Sequence, residues 1–185
     1  MTTLATGFPV ASTPVLAQAI VNDAVSLVTG EVSIPVADGK IPAYRAMPNK
    51  PGKRSVLLVV QDIFGAHEHI KGMCRRFAKL GYYATAPEMY ARQGEVSKLN
   101  DIGEIMSTAV ANMPDAQVTS DLDAAVAFAG ASGHADAARV GLVGYCWGGR
   151  VAWLYANHNP KLKAAVVYYG LLEGMQAEHP PQGPG

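Results

Sequence analysis

The chain has 185 residues, 49% of them hydrophobic and 16% charged, which is enough apolar material for one globular domain that buries roughly 70% of its unfolded surface. Fifteen Lys and Arg offset fifteen Asp and Glu, and no basic run stands out, so the charge footprint of a nucleic-acid binder or of a protein held on an anionic membrane is excluded. No stretch approaches the roughly 18 consecutive apolar residues that a membrane span requires. Cys74 and Cys146 stand in unrelated contexts without a C-x-x-C or Cys/His spacing, so neither a disulfide framework nor a metal site is implied, no cofactor is expected, and a reducing compartment fits best.

Residues 1–29 read as an irregular N-terminal arm. Val15 to Ala19 resembles a signal-peptide end, but no Lys or Arg precedes Lys40, and Pro9 and Pro14 interrupt the apolar segment; a cytoplasmic protein is expected. A single α/β domain is assigned to residues 30–185. Glu31 to Val36 and Ile41 to Met47 predict two short strands joined at Asp38-Gly39, forming an antiparallel edge. Ser55 to Val60 is a continuous β-branched and aliphatic run, the pattern of a central strand covered on both faces. From Glu68 to Leu80 the residues Ile70, Met73, Cys74, Phe77 and Ala78 recur at helical spacing, which makes Cys74 a core thiol. Tyr82 to Pro87 predicts the next strand, and a surface excursion follows it.

A short helix over Asp101 to Ala111 precedes a longer one that opens at Met113-Pro114-Asp115, follows the stripe Val118, Leu122, Ala125, Val126, Ala129, and stops at Gly130 to Gly133. Strand Arg139 to Tyr145, helix Trp147 to Asn157 and strand Leu162 to Tyr169 complete the pattern, an α/β sheet with mostly parallel strands and helices on both faces. The chemistry is concentrated where that strand meets that helix. Gly144, Cys146 and Gly148 fill the three places of a nucleophile elbow, in which small residues two before and two after the nucleophile let backbones pass. The helix N-terminus behind Cys146 favours thiolate and a developing oxyanion.

Four stretches, Val59 to Ile70, Cys74 to Ala78, Ala86 to Arg92 and Gly144 to Gly149, resemble the dienelactone hydrolases (carboxymethylenebutenolidases) of the α/β-hydrolase superfamily, over about residues 30–170. The resemblance implies Cys146 as nucleophile toward a small lactone or carboxylic ester, an acyl-enzyme, and an oxyanion hole from the backbone N–H groups of Ile63 and Trp147. Both sites lie at strand C-terminal ends, where open α/β sheets bind ligands. It also implies a glutamate beside the thiol, but this chain has Asp62, one methylene shorter, whose other reading is a cap on the following helix.

A member of the family continues past Tyr168-Tyr169-Gly170 into two more strands that carry a triad aspartate and histidine; no Asp follows Asp136, and those strands and the triad partners are expected to be missing from this chain. His179 lies in a Pro-rich tail and receives no triad role. His67 and His69 point apart at i,i+2 on a helix and read as solvated or packing residues rather than a metal pair. His134 and His158 receive no chemistry. Arg92 in the excursion is a candidate for a substrate carboxylate, with a plain surface arginine as its alternative. The leading expectation is therefore a thiol hydrolase of small lactones or esters; the alternative is a non-catalytic relic or interaction module of the same fold.

Overall fold

The computed structural model describes residues 23–94, 96, 99 and 101–172. Strands β1 (Leu27–Val36) and β2 (Gly39–Pro48) form the expected antiparallel pair, closed at Val36 and Gly39. The pair is longer than the sequence pattern suggested, and the boundary placed between residues 29 and 30 falls inside β1. Leu27 and Val28 cause the difference, because they pair with Pro48 and Met47 and pack on opposite faces of the sheet.

The centre of the sheet is β3 (Arg54–Val60), which runs parallel to β4 (Tyr83–Pro87) on one side and to β5 (Ala135–Tyr145) on the other; β6 (Ala164–Tyr168) continues parallel beyond β5. The strand order is β1-β2-β4-β3-β5-β6, with β2 antiparallel to β4. Four α-helices accompany the described strands: α1 (Glu68–Lys79), α2 (Ile102–Thr108), α3 (Asp115–Ala131) and α4 (Trp147–His158). Period-two alternation along β3 sends Val56, Leu58 and Val60 to one face and Val59 to the other. On the first face they meet Val118, Leu122 and Ala125 of α3 and Val151 and Tyr155 of α4. On the second, α1 lays Ile70, Cys74 and Ala78 against Val59, Ala84 and Val143, which is why β3 reads as a continuous apolar run. Cys74 is fully buried, and burial raises its thiol pKa well above the ordinary range, as a core thiol requires.

Three element ends differ from expectation for local reasons. The helix expected to run to Ala111 stops at Thr108, where a 3-10 turn over Val110–Asn112 begins and the Asn112 amide donates to the carbonyls of Ser107 and Thr108, both at 2.9 Å. Gly130 stays inside α3, which ends one residue later. Strand β5 starts at Ala135 rather than Arg139, because Ala135 and Asp136 pair with Arg54 and Ser55 before the register shifts ahead of Val56.

Leu58 is fully buried at the middle of the central strand. Leu58→Ala is expected to lower unfolding free energy by about 2–5 kcal/mol, read from urea denaturation midpoints at unchanged m-value.

Candidate active site

The C-terminal ends of β3 and β5 lie side by side in the sheet, so the turns that leave them converge. Cys146 occupies the turn after β5 with φ 55° and ψ −117°, a conformation that costs about 1–3 kcal/mol for a non-glycine residue and that the surroundings must hold. They do so from both sides: the Cys146 N–H donates to the Tyr168 carbonyl at 3.0 Å, and its own carbonyl accepts from Gly149 at 2.8 Å. A β-carbon on Gly144 would overlap the Gly148 carbonyl, and one on Gly148 would overlap the Gln61 carbonyl. The glycines therefore permit the approach of α4 to the strand ends.

The turn after β3 is tied to the segment after β4. Gln61, fully buried, accepts the Met89 N–H at 3.1 Å through its side-chain oxygen. The Glu88 carboxylate accepts from the N–H groups of Ala66 and Tyr90 at 2.8 and 3.2 Å. Gly65 turns at φ 88°, and an added β-carbon there would press on that carboxylate at 3.1 Å. Within the turn, Asp62 Oδ1 accepts the Phe64 N–H at 2.8 Å, and His67 Nε2 lies 3.2 and 3.1 Å from the two Asp62 oxygens.

A cavity of about 390 Å³ opens between these turns and α2. Its walls include Ile63, Ile102, Met106, Met113 and Trp147, with Cys146 among them. One ion pair sits in this largely apolar lining: Arg150 binds Asp115 by both nitrogens, at 2.7 and 2.9 Å. The half-buried Cys146 thiol is pushed above its ordinary pKa, first by burial and further by the Asp62 charge, while the Trp147 N–H opposes them. The Trp147 N–H at the helix start favours the thiolate as expected, but loss of water and a nearby carboxylate, which the sequence reading did not weigh, outweigh that one backbone donor. The Tyr90 ring lies tilted by 44° against Trp147 with centroids 5.0 Å apart, and its buried hydroxyl has no hydrogen-bond partner among the described residues.

Cys146, Ile63 and Trp147 thus line one cavity, and Asp62 acts on the thiol electrostatically. Asp62 does not itself cap α1; His67 does, through Nδ1. Arg92 departs from its assignment to a substrate carboxylate. Its guanidinium binds Asp121 at 2.7 and 3.1 Å and Asp38 at 2.7 and 2.6 Å, so both edges of the fork are occupied. Asp121 is 2% exposed, and this buried charge accounts for the arginine. His67, read from its spacing to His69 as a solvated or packing residue pointing away from it, instead pairs with Asp62, because as the N-cap it lies outside the helical spacing and its ring stacks on that of His69 at 6.2 Å. Glu88 was not singled out, because its partner Ala66 lies 22 residues away and only folding brings it near. His158 pairs with Asp123 at 2.8 Å, and His179 lies outside the described residues.

The model of the "Dienelactone hydrolase family" matches residues 41–183. The chain belongs to the dienelactone hydrolase family. It is 60% identical over 99% of its length to the "Putative carboxymethylenebutenolidase" of Methylorubrum extorquens, of which it spans 63%, and 44% identical to the protein of the same name from Escherichia coli, of which it spans 68%. The crystal structure of the "Putative Dienelactone Hydrolase" from Klebsiella pneumoniae superposes with a TM-score of 0.79 at 47% identity, over 84% of this chain and 65% of that one. The fold of these α/β hydrolases is thereby shared. Among the described residues no helix is long and apolar enough to cross a membrane.

Two expected outcomes follow from this geometry. Arg92→Ala leaves Asp121 buried without its cation and is expected to reduce stability to urea by about 3 kcal/mol. The rate of Cys146 alkylation by iodoacetamide, plotted against pH, is expected to have its midpoint above the value of about 8.5 for a free cysteine. Because the Asp62 charge raises that midpoint, Asp62→Asn is expected to bring it down; a midpoint unmoved by that change would remove the electrostatic coupling.

Proposed function

We propose that the protein hydrolyses a small lactone or carboxylic ester through a Cys146 acyl-enzyme. The observation that carries this reading is the strained Cys146 at the β5–α4 turn, inside a cavity it shares with Ile63 and Trp147. A nucleophile needs its electrophile held within reach and its product charge compensated. In the proposed step the substrate carbonyl lies over the sulfur with its oxygen toward the N–H groups of Ile63 and Trp147. The sulfur electron pair forms the S–C bond as the thiol proton passes to the Asp62 carboxylate. The tetrahedral oxyanion then collapses, the C–O bond to the alcohol oxygen breaks, and that alkoxide takes the proton back from Asp62, leaving the Asp62 carboxyl ionised again. Water later attacks the thioester and releases the acid.

The raised thiol pKa supports a nucleophile that stays protonated at rest and loses its proton only with substrate in place. The apolar walls suit a hydrocarbon acyl or lactone ring, and the relatives named carboxymethylenebutenolidase favour a lactone. Single-turnover release of nitrophenolate from a nitrophenyl ester tests the proposal. Cys146→Ala and Cys146→Ser are expected to reduce release at least about 1,000-fold, with an acyl group recovered on Cys146 of the parent protein by mass spectrometry. Release unaffected by Cys146→Ala would sink the nucleophile assignment.

A further inference from the structure

His67 has two nitrogens and two partners, and their order fixes its proton. Nδ1 accepts the backbone N–H of His69 at 3.3 Å, which makes His67 the N-cap of α1. A neutral imidazole carries one donor and one acceptor nitrogen. With the acceptor committed to the helix, the proton resides on Nε2, and it faces both oxygens of Asp62 at 3.2 and 3.1 Å. The ring is further fixed between Phe64, edge-on with centroids 6.4 Å apart, and His69, stacked at 6.2 Å. His67 therefore donates to Asp62 and has no free lone pair with which to take a proton from Cys146.

The position of Asp62 gives that donation a consequence. Its carboxylate is held at Oδ1 by the Phe64 N–H in the turn that carries the cavity-lining Ile63, and its charge raises the pKa of the Cys146 thiol and of the Tyr90 hydroxyl. A short side chain that must take the thiol proton depends on the orientation of its oxygens. We propose that His67 is a positioning residue whose Nε2–H aims the Asp62 carboxylate at the Cys146 thiol while its Nδ1 caps α1. This rests on the reading of Cys146 as nucleophile for its catalytic consequence, and on the hydrogen bonds alone for its geometry.

Two substitutions separate the roles, because each preserves one nitrogen's place. Asn keeps a cap acceptor as many bonds from Cβ as Nδ1 and removes the donor to Asp62; Gln keeps a donor as many bonds away as Nε2 and weakens the cap. His67→Asn is expected to leave the melting temperature within about 2 °C, since Asn is a strong N-cap, and to slow single-turnover acylation by a nitrophenyl ester about tenfold without change in KM. In an Asp62→Asn background the same change is expected to slow acylation less than about twofold, because the carboxylate it serves is gone. His67→Gln is expected to keep acylation within about threefold of the parent while lowering the melting temperature by about 2–4 °C.

Equal slowing by His67→Asn in both backgrounds, or none in the parent, would overturn the positioning role. An independent readout needs no turnover. Nitrogen-15 NMR of the imidazole is expected to find the His67 proton on Nε2, with a resonance that moves in Asp62→Asn but not in Cys146→Ala. A proton on Nδ1 would overturn the inference even if Cys146 proves to be the nucleophile. Acylation that survives Cys146→Ala would overturn the proposed function and leave the NMR result to judge His67.

Discussion

The site depends on how closely the backbone of α4 approaches the ends of β3 and β5. Gly148 sits against the carbonyls of Gln61 and Val60, and Gly144 against Gly148, at separations that no side chain would tolerate. That approach forces Cys146 into a positive φ, and hydrogen bonds to Tyr168 and Gly149 keep it there. The strain is local, whereas its support is distributed over three parallel strands. The side chain raised on this turn lines the cavity instead of entering the sheet.

The electrostatics of the thiol are a balance among three causes with different ranges. Burial disfavours the thiolate most, the Asp62 charge adds to it, and the Trp147 N–H offsets part of both. In the acylation proposed above, ionisation of this sulfur is coupled to substrate arrival, because a bound carbonyl supplies the acceptor for the electron pair and a reason for the proton to move. The anchoring of Asp62 and of the whole turn after β3 then matters as much as the sulfur itself. From the end of β4 Glu88 holds that turn through the Ala66 N–H while its other oxygen accepts the Tyr90 N–H of its own segment, and Gln61 binds the Met89 N–H beneath it.

Much of the fold was legible because the signals are local and periodic. The apolar run of β3, the helical spacing of α1 and the stripe of α3 each report which face is buried, and these elements appear within a few residues of their expected ends. The misplaced ends have a common origin: Leu27 and Val28 extend β1, and Ala135 and Asp136 extend β5, through pairing with strands distant in sequence. Arg92 was misread for the same reason. Its neighbours in the chain look like an exposed excursion, while Asp121 and Asp38 lie 29 and 54 residues from it along the chain.

By itself the sequence determined the α/β class and the elbow at Gly144, Cys146 and Gly148, because these follow from hydrophobic periodicity and glycine sterics, and the family resemblance implied that Ile63 and Trp147 flank one site at the strand ends. Only the tertiary structure decided what the polar side chains do. Asp62 acquired a histidine donor, Arg92 was committed to a buried aspartate, and the thiol became harder to ionise than a helix N-terminus alone implies. The physical reason is range: apolar periodicity is written into neighbouring residues, whereas the charge and proton state of a group depend on partners and solvent exclusion that exist only after the chain has closed around it.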